Sequence, residues 1–107
     1  MINALPRIAI AMHDYEAAVE TFRTTFGMPV LDFSDTTVPD LGAHVGMCMP
    51  PGGSNIELMS PANPDLPLSQ ALSKFLERRG EGLYALMLEA ADPNAEAQEL
   101  LDRDVAV

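Results

Sequence analysis

Leu5-Pro6-Arg7-Ile8-Ala9-Ile10-Ala11-Met12-His13-Asp14 is the stretch from which the fold is read. Ile8 and Ile10 alternate with the small Ala9 and Ala11, a pattern that suits a strand buried on both faces. Asp14 then offers its carboxylate as a helix N-cap. Beyond it Tyr15, Ala18, Val19, Phe22 and Phe26 recur at helical spacing, one apolar stripe of an amphipathic helix over Tyr15–Phe26. Glu16 and Glu20 put negative charge near its positive end. Gly27 ends the helix as a C′ residue, and Pro29 forbids its continuation.

Working outward, short strands are expected over Pro29–Ser34, Ala43–Met49 and Ile56–Met59, with loop between the first two at residues 35–40. Pro50-Pro51-Gly52-Gly53 is a turn. Ile56 and Leu58 belong to one strand face, Glu57 and Met59 to the other. This gives β-α-β-β-β. Ser60–Pro67 carries three prolines and reads as a connector. Leu68, Ala71, Leu72, Phe75, Leu76 and Arg79 mark one face of a helix that Gly80 and Gly82 stop. Arg78 and Arg79 in its last turn suit the helix dipole. Leu83–Ala90 reads as a strand by pattern, while propensity alone allows a helix. Asp92-Pro93 starts a short helix over Asn94–Arg103, expected to pack through Ala97, Leu100 and Leu101. Val105-Ala106-Val107 begins another strand. The second part therefore opens as the first does, with strand, Asp cap and helix, and then stops two strands short.

The 107 residues suit one domain, and 48% apolar residues suffice for a folded core. Six Lys and Arg against sixteen Asp and Glu give a net charge of −10. That balance argues against nucleic acid and anionic membranes, which require clustered cations. No apolar run is long enough for a membrane span, and no secretory signal is seen. The single Cys48 excludes an internal disulfide and a cysteine-built zinc site, so a reducing, cytoplasmic setting is the default.

The string Lys74-Phe75-Leu76-Glu77-Arg78-Arg79-Gly80-Glu81-Gly82 resembles the helix-to-strand junction of methylmalonyl-coenzyme A epimerases. Ile8-Ala9-Ile10-Ala11 with Asp14 and Phe26-Gly27, and Ile56-Glu57-Leu58-Met59-Ser60-Pro61, match the same family in order and spacing. Those enzymes belong to the vicinal oxygen chelate superfamily, with glyoxalase I, extradiol dioxygenases and bleomycin-resistance proteins. The resemblance implies an α+β, glyoxalase-like fold of paired βαβββ modules whose sheets cup one site. On that reading residues 1–107 form one domain. Residues 1–60 are the first module, 61–82 a linker and helix, and 83–107 a second module truncated after βαβ.

The resemblance also implies a divalent metal, a Lewis acid that polarises a carbonyl so that a carboxylate removes an α-proton. Its four ligand positions fall on Arg7, Glu57, Ala85 and a place beyond Val107. Arg7 has no lone pair to give and Ala85 no ligand atom. Glu57 alone survives, and one carboxylate does not hold a divalent ion tightly. We expect no metal and no other cofactor. The family's catalytic carboxylate aligns with His44 or Val45, the register being open by one residue.

Candidate site residues follow from these positions. Arg7, Glu57 and Tyr84 are the expected ligand-binding set, and Glu57 and His44 the expected catalytic set. An Arg7–Glu57 pair would put a guanidinium where the metal sits in relatives, ready to grip a carboxylate with both arms. The plainer reading is a partly exposed ion pair that contributes about 0–1 kcal/mol. His13 reads as a solvated turn histidine, His44 otherwise as an edge residue. Cys48 reads as packing, and the methionines as core or as a malleable ligand wall. Pro50-Pro51-Gly52-Gly53 lacks the helix and Lys of a phosphate loop.

Three functions are in play. The first is a metal-free binder of a small, carboxylate-bearing organic molecule. The second is an epimerase-like isomerase or lyase whose missing ligands come from a partner chain or an absent C-terminal segment. The charge of −10 counts against a coenzyme A ester unless a local basic patch compensates. The third is a structural subunit. The open edge after residue 107 predicts a homodimer or a strand-completing partner.

Overall fold

A computed structural model of the chain describes residues 2–34 and 42–104. The strand expected at 105–107 and the loop expected at 35–40 lie outside the described residues. Five strands form one sheet: β1 (Ile2–Ala11), β2 (Val30–Asp32), β3 (Ala43–Cys48), β4 (Asn55–Pro61) and β5 (Gly82–Ala90), in the order β2-β3-β4-β1-β5. The helices are α1 (Tyr15–Glu20), α2 (Pro67–Arg79) and α3 (Pro93–Asp102). β1 runs parallel to β4 on one side and antiparallel to β5 on the other. The opening strands of the two halves thus join edge to edge, an arrangement that the expected paired units require. Among the described residues no helix is long and apolar enough to cross a membrane.

Local chemistry sets the element ends. Asp14 accepts the amide of Ala17 at 3.0 Å and Asp92 that of Ala95 at 3.1 Å, so both expected caps form. Pro67 opens α2 at a position where the missing amide costs nothing. Gly80, at φ 77°, ends α2 with its amide on the Leu76 carbonyl. After Glu20 the first helix widens into a π-helical turn over Thr21–Thr25. There the Phe26 amide bonds Thr21, five residues back. That widening corrects the expected stripe: Phe26 turns outward, 56% exposed, with its ring edge-on to Phe22. Leu101 is likewise exposed, while Ala97 and Leu100 face a shallow groove beside Ile2, Leu86 and Leu88.

The two sheet faces carry separate cores. On one, Tyr15 and Val19 of α1 pack against Met12, Val30, Cys48 and Leu58. On the other, Ala9, Ala11, Ala43, Val45 and Met59 pack beneath Leu72 and Leu76 of α2. Ala9 and Ala11 are fully buried, whereas Ile10 is half-buried. The small residues of β1 thus face α2, where a short side chain leaves room for a helix above.

Candidate functional site

The site is built on the α2 face, at the end of the sheet that α2 leaves open. In the parallel pairing of β1 with β4, Arg7 lies beside Asn55 and Ala9 beside Glu57. Glu57 therefore sits one same-face step along from Arg7, a step that the long arginine side chain spans. The Arg7 Nε–H donates to Glu57 Oε2 at 2.8 Å. Glu57 is buried, and the Arg7 side chain remains 41% exposed. Burial of a carboxylate is costly unless a donor compensates, and the guanidinium is that donor. Only Nε is used, so the two terminal amino groups of Arg7 stay available on the open side.

The neighbours of the pair are apolar. Met47 of β3 lies opposite Glu57, and Met87 of β5 lies opposite Arg7. Ala9 pairs with Ala85, so two methyl groups fill the positions between the carboxylate and β5. Tyr84 stands on a bulge of β5 between Ala85 and Leu83. Its ring meets Phe75 edge-on, with centroids 5.2 Å apart. It belongs to the apolar cluster under α2 and makes no hydrogen bond to Arg7 or Glu57.

His44 is not brought to this site. It pairs with Ser60, one step out of phase with the Val45–Met59 pair that faces α2. Of the two residues left open in the sequence, Val45 shares the face of Glu57 and His44 does not, because an odd step along a strand reverses the face. His44 instead stacks on Tyr15 under α1, with centroids 5.3 Å apart. It shares an open cavity of about 460 Å³ with His13, Asp14, Tyr15, Glu16, Ser60 and Pro61. Both histidines of the chain thus meet on the face opposite Glu57, a juxtaposition that no local pattern in the sequence signals.

That face also holds a second carboxylate. Asp32 accepts the Tyr15 hydroxyl at 3.0 Å, the Ser34 hydroxyl at 2.6 Å and the Ser34 amide at 2.9 Å. The Ser34 bonds lead in holding its carboxyl below the usual range. Burial, then the Asp32 hydrogen bond, pushes the Tyr15 phenol up to about 12. Burial raises the Cys48 thiol, which suits packing and not nucleophilic attack. Among the described residues no three His, Cys, Asp or Glu side chains gather as a metal-binding group.

Residues 7–107 match the sequence profile of the Glyoxalase/Bleomycin resistance protein/Dioxygenase superfamily. The fold is similar to that of Streptomyces coelicolor methylmalonyl-CoA epimerase, solved as a variant in complex with 2-nitronate-propionyl-CoA. The TM-score is 0.77 at 28% identity, over 100% of this chain and 76% of that one. It is also similar to methylmalonyl-CoA epimerase from Mycobacterium tuberculosis, with TM-score 0.75 and 25% identity over 98% and 67% of the two chains. No sequence among curated proteins matches.

Proposed function

The chain belongs to the Glyoxalase/Bleomycin resistance protein/Dioxygenase superfamily, and on that premise we propose that it binds a small carboxylate-bearing organic molecule without a metal ion. The observation that carries this is the Arg7–Glu57 pair. Glu57 spends one oxygen on Arg7 Nε and fixes the guanidinium plane, while the terminal amino groups stay open to a ligand carboxylate. Met47 and Met87 offer the adaptable apolar wall on which the rest of such a ligand packs.

The donor set does not suit a divalent ion. Arg7 brings a permanent cation to the place, and Ala85 brings a methyl group. Among the described residues Glu57 is the one carboxylate paired with Arg7, and it is already engaged. Carboxylate binding at this pair therefore draws on the guanidinium and not on a metal ion. A second reading, an epimerase-like isomerase or lyase, is favoured by the similarity to the two epimerases. It needs ligands from a partner chain or from further residues, with Glu57 then acting on the substrate. We read the protein as cytoplasmic, and as a homodimer or bound to a strand-completing partner.

Melting curves with succinate, Zn(II) and Co(II) test the proposal. Succinate at about a hundred times its Kd stabilises a single-site binder by about 2.7 kcal/mol. The expected result is a rise in Tm with succinate that disappears in Arg7→Ala. A large rise with either metal ion, or a succinate effect that survives Arg7→Ala, overturns it. Deuterium uptake at the α-carbon of methylmalonyl-CoA would instead establish the second reading.

A further inference from the structure

The six cationic side chains of the protein divide into two sets. Arg7 and Arg103 are paired with Glu57 and Glu99, and Arg23 donates to the Val30 carbonyl. Lys74, Arg78 and Arg79 have no hydrogen bond or ion pair among the described residues. These three line one groove of about 270 Å³ on α2, floored by Ala71 and Phe75. The helix dipole accounts for Arg78 and Arg79 in the last turn, but not for Lys74 one turn earlier. Lys74 and Arg78 stand four residues apart, a spacing at which like charges repel along a helix. A protein of net charge −10 thus gathers half its cations, unneutralised, on one apolar-floored strip.

We propose that this groove is a second binding site, for a phosphorylated small molecule that carries adjacent phosphates and a flat apolar group. Three cations within little more than a helical turn match the charge density of a diphosphate. Each arginine can present two parallel N–H donors to one phosphate. Ala71 and Phe75 supply the surface against which the apolar group packs. The net charge of −10 repels anions from the protein at large, so an anion held on this strip owes its affinity to these three cations. The site shares no residue with the Arg7–Glu57 pair and stands or falls apart from it.

ADP and pyrophosphate are the probes, titrated by calorimetry at low ionic strength. The expected result is saturable ADP binding, several-fold tighter than pyrophosphate and weakened by added NaCl. Removal of the charges in Lys74→Ala/Arg78→Ala/Arg79→Ala is expected to lower the ADP affinity by at least about tenfold, the equivalent of one lost charge-assisted bond. Arg103→Ala, on a different helix, is expected to bind as the parent does. The single exposed change Arg78→Glu repeats the test should the triple variant fold poorly. Three outcomes overturn the proposal. One is no saturable ADP binding by the unaltered protein. Another is ADP binding that is indifferent to these variants. The third is salt-sensitive self-association that the triple variant abolishes while ADP does not bind, which would make the groove a contact between copies.

Discussion

Two carboxylates, one on each face of the same sheet, are stabilised in opposite ways. Asp32 sits exposed on the edge strand β2 and is satisfied by two hydroxyls and an amide. Glu57 sits buried on an interior strand and is satisfied by one guanidinium. The Asp32 network is closed in on itself: the Ser34 hydroxyl that serves Asp32 also accepts the Val45 amide. The Glu57 pair is open, because its cation is only partly spent. An anionic cluster whose donors all come from within the fold stiffens it and offers a ligand no free donor. A pinned cation at the surface keeps donors free for a further acceptor.

The largest expected difference lies in removing the partner of each carboxylate. Arg7→Met leaves Glu57 buried and unpaired, which should cost about 1–3 kcal/mol in urea unfolding at neutral pH. Arg7→Met combined with Glu57→Leu should recover most of that loss, because no orphaned charge remains. A double variant no more stable than Arg7→Met alone would show that Glu57 is not constrained as described.

Tyr15→Phe, the parallel change on the other face, removes one hydroxyl from Asp32 and should cost about 0.5–1.5 kcal/mol. It also alters the alkaline response. The folded state holds the Tyr15 phenol neutral up to about 12, against an ordinary value of 10.0. This contribution is complete below pH 10 and is lost as pH rises through about 12. The unfolding free energy should decline across that window in the parent and decline less in Tyr15→Phe. Equal slopes would break the assignment.

The smallest effect is expected at His44, which is exposed and stacked on Tyr15. His44→Ala should change stability by less than about 0.5 kcal/mol. It should also leave the succinate response unchanged. A loss of succinate binding in this variant would place the ligand on the α1 face and reverse the comparison.

Much of the fold was legible because its signals are local. Asp14 and Asp92 cap the helices that follow them, and the parity of Ile56-Glu57-Leu58-Met59 assigns each residue to its observed side. Arg7 and Glu57 were legible as a pair through the resemblance, although fifty positions separate them. His44 was misplaced because strand alternation states which residues share a face but not which face is the cup. Phe26 was misplaced because a π-helical turn shifts the angular position of everything after it. The basic groove escaped notice because Arg78 and Arg79 already had a sufficient local reason in the helix dipole.

By itself the chain determined the order of strands and helices and the capped starts of α1 and α3, since caps, glycines and apolar periods act over a few residues. Only the tertiary structure decided which charges are spent and which are left over. That depends on the offset between strands far apart in sequence and on the side of the sheet that each helix covers, and both are fixed by packing.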